Sequence, residues 1–348
     1  MPPPRPDFRN LPHTYVIAEI SANHNGSVDS ALDLIRIAKA CGADAVKIQT
    51  YTADTLTLDC DNEHFRIGGG TLWDGKTLHQ LYQEAHTPWE WHRRIFDAAA
   101  AAGIDCFSTP FDATSVDFLE QFDPPCYKIA SFELIDHGLL EKIASQRRPV
   151  ILSTGMATFD EITEAVAVLR KNGCTDLALL KCTSAYPAPA EEANLSRIPH
   201  MAETFGCTVG LSDHTMGIVT PIVAVSLGAR IIEKHLCHSR LEPGPDSAFS
   251  LEPAEFAAMV EAVRTAEKAI GTPTYERTAK EAAGLAFRRS LFISSPVAAG
   301  EKFTMENVRS VRPGYGLPPK FLGQILGKKA SGNLPAGTPL DWPHVAAD

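Results

Sequence analysis

TVGLSDHTMGIVTPIVAVSLGARIIEKHL, residues 208–236, sets the pattern of this chain. An apolar run, TVGLSDHT (208–215), turns polar at its end. A helical stretch, IVTPIVAVSLGA, follows, and a second apolar run, RIIEKHL (230–236), again reaches a histidine. Continuous apolar character suits parallel strands buried on both faces better than exposed antiparallel ones. Working outward, six more such runs come earlier: YVIAEI (15–20), AVKIQT (45–50), DCFST (105–109), CYKIAS (126–131), PVILSTG (149–155) and LALLKCTS (177–184). Helical patterns separate them, beginning with SVDSALDLIRIAKACGA, which stops near Gly42. Eight strand–helix units over about 250 residues predict an α/β fold of the closed (β/α)₈, or TIM-barrel, type. The rival doubly wound sheet favours fewer strands and a glycine-rich phosphate loop after the first. No GxGxxG follows Ile20.

Residues 51–90 form a long excursion after the second strand, around RIGGGTLWDG, readable as a lid, a substrate wall or a structural flap. LEPAEFAAMVEAVRTAEKAIG (251–271) supplies the last barrel helix, with Ser250 as its expected cap. The barrel domain is thus expected over 1–271 and a linker over 272–287. From Arg288 to residue 348 the texture shifts to short strands with many Gly/Pro turns, a compact, mainly β domain.

Charged residues make up 21% of the chain and hydrophobic ones 44%, a balance that suits globular folding rather than disorder. The formal charge of −10 argues against a nucleic-acid binder, though local lysines can still receive an anionic small molecule. The start, MPPPRPDFRNLPHTY, lacks the layout of a secretory leader, and no apolar run is long enough for a membrane span. The eight cysteines show no CxxC spacing, so buried free thiols in a reducing cytoplasm are expected.

The chemistry-bearing residues collect at strand ends. His214 and His235 lie 21 residues apart, which excludes a zinc-finger register, but adjacent barrel strands bring them to one face. With Glu233 nearby and oxygen ligands from substrate and water, they suit a divalent cation; satisfied core histidines are the alternative. Lys47 and Lys128 interrupt buried strands, either as structural ion pairs or as an anion site. Ser131, Ser153, Ser184 and Ser212 lie near four strand ends and suit phosphate oxygens. Glu19, Glu133, Glu233 and Asp246 are the acidic candidates. Glu19 suits proton transfer, a sugar hydroxyl or pairing with Lys47. Asn23, His24 and Asn25 suit polyol recognition or turn capping.

Taken together, the segments IAEISANHNGS, ADAVKIQTYTADTLTLD, LWDGKTLHQLYQEAHTPWEWH, FSTPFD, YKIASFE, ILSTGMA, KCTSAYPAP, GLSDHT, IIEKH, GPDSAFSLEP, RRSLF and RPGYGLPPK resemble the sialic acid synthase family from about residue 15 to 343. The resemblance implies condensation of phosphoenolpyruvate with the open-chain aldehyde of an N-acylated amino sugar. It also implies a C-terminal antifreeze-like (SAF) domain, a domain-swapped homodimer, and a divalent metal, manganese first, with magnesium or cobalt as alternatives. By resemblance His214 and His235 are the metal pair. Lys47, Lys128, Ser131, Ser153, Ser212 and Thr109 meet phosphate and carboxylate. Glu19, Tyr186 and Asp246 lie on the sugar side, and Arg312 enters a partner subunit's sugar pocket. Glu19 and Glu133 are the expected proton-transfer groups, in a direction left open.

The chain departs from the family pattern at Ser184, where members using N-acetylmannosamine carry an amide, and at Ser239, where an aspartate is usual. Together with TYTADTLTLD, the Ser184 change points to the pseudaminic branch, whose acceptor is 2,4-diacetamido-2,4,6-trideoxy-β-L-altropyranose. The alternatives are a neuraminate or legionaminate precursor sugar and, in a different class, a non-catalytic carbohydrate-binding or antifreeze-like protein.

Overall fold

In the computed structural model, residues 5–242 and 244–347 are described. The first four residues of the expected barrel domain, which begin MPPPRPDFRNLPHTY, and residue 348 of the expected small domain lie outside them. Eight parallel strands close a barrel in sequential order: β1 (Tyr15–Glu19), β2 (Ala45–Thr50), β3 (Asp105–Pro110), β4 (Tyr127–Ile129), β5 (Val150–Ser153), β6 (Leu177–Cys182), β7 (Thr208–Asp213) and β8 (Ile231–His235). β1 pairs with both β2 and β8, so the sheet has no free edge.

Strand periodicity divides the residues between two cores. Val16, Ala18, Val46, Ile48, Val209, Leu211 and Ile232 face outward and pack beneath the helices. Ile17, Ala45, Phe107, Ile151, Ala178, Leu180 and Ile231 face inward and fill the lower barrel. Gly210 is required in that layer, because a Cβ there would lie 2.3 Å from the Ile231 carbonyl oxygen and 2.6 Å from Leu180 Cδ2. Phe8 plugs the floor edge-on to Tyr15. Its backbone N–H donates to Asp176 and its carbonyl accepts from Thr208.

The first helix, α1 (Val28–Ala40), starts at Ser27, which accepts from Ser30 N–H, and the chain leaves it through Gly42 at φ +87°. The 51–90 excursion is more structured than its composition suggests. It holds α2 (Ala53–Leu56) and α3 (Leu78–Ala85), and between them residues 65–78 fold back on themselves through Ile67–Lys76, Gly75–Ile67 and Leu78–Phe65 backbone bonds. The last barrel helix, Pro253–Ile270, is not capped by Ser250 as expected. Glu252 takes the cap position and its N–H donates to Glu255, while the Ser250 hydroxyl turns back to the Asp246 carbonyl.

The described residues up to Gly271 form one compact unit and those from Thr272 a second. Part of the expected linker has regular structure. Residues 279–287 are helical, and the Gly314 N–H donates to the Ala286 carbonyl, tying that stretch to the small unit. The small unit packs Leu291, Ile293, Phe303, Val308, Ile325 and Leu340 around an antiparallel pair of strands, Ser290–Ile293 and Val308–Val311. Its remaining β character comes from single bridges such as Val297–Leu334 and Ala330–Val345. No helix among the described residues is long and apolar enough to cross a membrane. All eight cysteines are free.

Candidate active site

Two residues further along each strand, the inward-facing positions change from apolar to polar. This layer contributes Lys47, Thr109, Lys128, Ser153, Cys182, Ser212, Glu233 and His235, with His214 just beyond β7, to a cavity of about 410 Å³ at the C-terminal end of the barrel. The strand-end signal in the sequence is this layer.

Four buried charges form its floor. Lys47 is ion-paired with Glu19, and its ammonium also lies 3.7 Å from Glu233 Oε1 and 3.3 Å from Thr109 Oγ1. Lys128 donates to Ser153 Oγ at 2.7 Å and lies 3.8 Å from the same Glu233 oxygen, which accepts from the Ser212 hydroxyl at 3.1 Å. Burial would depress the Lys47 pKa, but Glu19 and Glu233 together hold it above its ordinary value. For Lys128 burial prevails and the pKa falls, despite Glu233. Burial would raise Glu233, yet Lys128 and Lys47 keep it low and therefore ionised. The lysines are thus ion-paired, and both also line the cavity.

Ser131 opens the turn after β4 and its hydroxyl accepts from the Gly155 N–H at 3.0 Å. A Cβ on Gly155 would meet Ser184 Oγ at 2.2 Å and Ser131 Oγ at 2.8 Å, so glycine is what lets three loops converge at this rim. Ser184 stands beside the cavity rather than among its lining residues.

The histidine rings lie 5.4 Å apart, with Phe249 edge-on to His235 at 4.9 Å and Tyr186 at 4.5 Å from His214. His214 Nδ1 is 2.9 Å from the Thr183 carbonyl, an acceptor only, which assigns a proton to Nδ1; burial would lower the ring's pKa, but Cys182 and the Thr183 carbonyl hold it above its ordinary value. His235 is buried enough to stay neutral, and its Nδ1 lacks a hydrogen-bond partner, with Asp246 Oδ2 3.4 Å away. Two imidazoles at neighbouring strand ends, one of them neutral and beside a carboxylate, fit the donor set of a divalent cation. No group of three or more His, Cys, Asp or Glu side chains arranged to hold a metal occurs among the described residues. Burial also raises Asp246 to about 7 and Glu133, whose Oε2 is buried without a partner, to about 7.

Not every expected site residue lines the cavity. Asn23 is turned into structure, its amide donating to the Leu236 carbonyl and Ser250 Oγ and so fastening the loop after β8. Glu19 is fully buried behind Lys47. Arg312 is an exposed residue of the second unit. At the Ser239 position the local ion pair is made instead by Arg240 with Glu255.

Sequence reasoning missed three features. Cys182 lines the floor, and although burial alone would raise its thiol, the neighbouring His214 brings it to about 7. Its place in the polar end of LALLKCTS was the available signal. Behind the histidines, Lys234 and Asp213 form a fully buried ion pair at 2.5 Å. Asp213 Oδ1 also accepts from Thr215 N–H, and Lys234 donates to the Thr215 carbonyl, so the backbone just after His214 is held on both sides. Finally, one wall is apolar: Tyr51, Ile67, Trp73, Leu81 and Tyr82 from the excursion, with Phe111 after β3.

The chain has known relatives. Residues 34–275 match the NeuB family and residues 288–346 the SAF domain, and the chain belongs to the NeuB family. It is 48% identical over 334 residues to the pseudaminic acid synthase of Campylobacter jejuni, covering 96% of this chain and 97% of that protein. It is 44% identical to the pseudaminic acid synthase of Helicobacter pylori, covering 93% and 96%. Among solved structures, it is similar to the spore coat polysaccharide biosynthesis protein SpsE of Bacillus subtilis, with a TM-score of 0.65 at 33% identity over 97% and 96% of the two chains.

Proposed function

We propose that this chain catalyses the pseudaminic acid synthase reaction. Phosphoenolpyruvate, 2,4-diacetamido-2,4,6-trideoxy-β-L-altropyranose and water give pseudaminic acid and phosphate. One observation carries the reading: a single cavity sets a lysine–serine floor against an apolar wall. Such a floor suits a small polyanion, and such a wall suits a sugar bearing two acetamido methyls and a C6 methyl. The near full-length likeness to two pseudaminic acid synthases supports the same choice.

In this reading Lys47 and Lys128, with Ser131, Ser153, Ser212 and Thr109, bind and orient the phosphate and carboxylate of phosphoenolpyruvate. Glu19 and Glu233 keep that charge balanced before substrate arrives. The enol C3 attacks the aldehyde carbon, water adds at C2, and the C2–O bond breaks to release phosphate. Glu233, ionised and facing the cavity, accepts the proton from water, while Glu133, half-protonated near pH 7, supplies one to the new hydroxyl. His214 and His235 would hold a divalent cation, manganese first, with magnesium or cobalt as alternatives; substrate and water oxygens would supply further donors. Such an ion would supply Lewis acidity toward the aldehyde oxygen and the negative charge that develops on it. Asp246 and Tyr186 lie on the sugar side. We also propose a cytoplasmic, domain-swapped homodimer in which Arg312 of one copy completes the sugar pocket of the other.

Phosphate release from phosphoenolpyruvate, measured with the pseudaminic, legionaminic and neuraminic precursor sugars and checked by product mass, tests the reading. The expected result is the highest kcat/KM with the diacetamido-altropyranose. Equal or better turnover of N-acetylmannosamine overturns it. His214→Ala and His235→Ala are expected to abolish release, and Mn²⁺ binding measured by calorimetry, without unfolding the barrel.

A further inference from the structure

Trp73 occupies a position that neither the anion floor nor the histidine pair explains. It sits at the tip of the folded-back segment 65–78, in a turn that Asp74 organises by accepting from Gly70 N–H, Thr71 N–H and the Thr71 hydroxyl at 2.9, 2.9 and 2.6 Å. That turn presents the indole inward. Its ring lies 5.7 Å from the Tyr186 ring, and Tyr186 lies 4.5 Å from His214. Its Nε1–H donates to the Pro245 carbonyl at 3.0 Å, across 172 residues of sequence. The next residue, Asp246, faces His235 at 3.4 Å. One side chain therefore joins the excursion after β2, the loop after β6 and the loop after β8 over a single cavity.

We infer that Trp73 is a specificity-determining residue for the acceptor sugar. This rests on the proposed condensation and names the group that selects its sugar. Tryptophan combines a large apolar face with one polar handle. Here the handle is anchored to Pro245, so the face is held in place as part of the cavity wall beside Tyr186. An apolar face so fixed favours the acetamido and C6 methyl groups and offers no partner to a C6 hydroxyl. Discrimination of this kind reaches roughly a hundredfold in an apolar pocket. Because the Nε1 bond ends one residue before Asp246, Trp73 also sets where that carboxylate stands.

The test compares wild type, Trp73→Phe and Trp73→Ala in steady-state phosphate release, with the diacetamido-trideoxy sugar and with N-acetylmannosamine. Trp73→Ala is expected to raise KM for the first sugar at least tenfold and to shrink its kcat/KM preference by a similar factor. The KM for phosphoenolpyruvate stays within twofold. Trp73→Phe, which keeps an aromatic face and loses the N–H, falls between. A Trp73→Ala enzyme with sugar KM and preference both within twofold of wild type overturns the inference, as does an equal rise in both substrates' KM values, the mark of a merely structural role. Hydrogen exchange of the substrate-free proteins supplies an arm independent of turnover. Trp73→Phe is expected to speed exchange in 65–78 and in 244–251 together, and unchanged exchange in both sinks the bridge. A wild type that ignores the diacetamido sugar defeats the proposed function instead, while the exchange arm still decides the bridge.

Discussion

Glu133 ends the short turn after β4 with one carboxyl oxygen buried and without a partner, and burial raises its pKa from 4.5 to about 7. Below about pH 4.5 the group is protonated in folded and unfolded chains alike and has no effect on stability. As pH rises toward 7 the unfolded chain ionises while the folded one resists, so stability is lost, by up to roughly 3 kcal/mol. Glu133→Gln removes that loss. Denaturation midpoints are expected to show the variant gaining on wild type between pH 5 and pH 8, and a constant difference at both pH values contradicts this. The floor lysines were legible in sequence because a lysine inside an apolar run has few places to go. Trp73 and Tyr51 were not, since an aromatic in a long loop carries no periodicity to say what it faces. The bonds Asn23 makes were not legible either, because its partners, Leu236 and Ser250, are more than two hundred residues away.

The β7–β8 pair is the element on which the histidines depend. Asp213 lies opposite Lys234 in the parallel register, one residue before His214 and one before His235. Both charges point away from the cavity, into the layer beneath the helices. The strand pattern showed that both histidines end up at one face; it could not show the fastening behind them, which needs the register of the two strands. Removing one partner strands a buried charge, so Lys234→Met is expected to cost about 3–5 kcal/mol in denaturant unfolding. The double variant Asp213→Leu/Lys234→Met is expected to recover most of that stability and to turn over at least tenfold more slowly than wild type, because Thr215 is no longer held. Wild-type kcat in the double variant shows that the pair serves folding alone.

For the whole molecule, eight strands and their order were readable from repetition, as was the change of texture near Arg288. The floor was not. Phe8 belongs to a Pro-rich start with no strand or helix pattern, yet it is 1% exposed and closes the barrel opposite the working face. Phe8→Ala is expected to destabilise the barrel by about 3 kcal/mol, read in chemical denaturation, while kcat at saturating substrate stays within twofold. A large loss of kcat without loss of stability contradicts a purely structural floor.

The same plug has a consequence for the order in which the chain is made. Its two anchors, Asp176 and Thr208, are translated 168 and 200 residues after it. At ordinary rates of synthesis that leaves Phe8 without its seat for roughly 10–40 s on the ribosome. Phe8 is thus made well before its seat exists, and for that interval the growing chain carries an unsatisfied aromatic, open to whatever chaperone meets it.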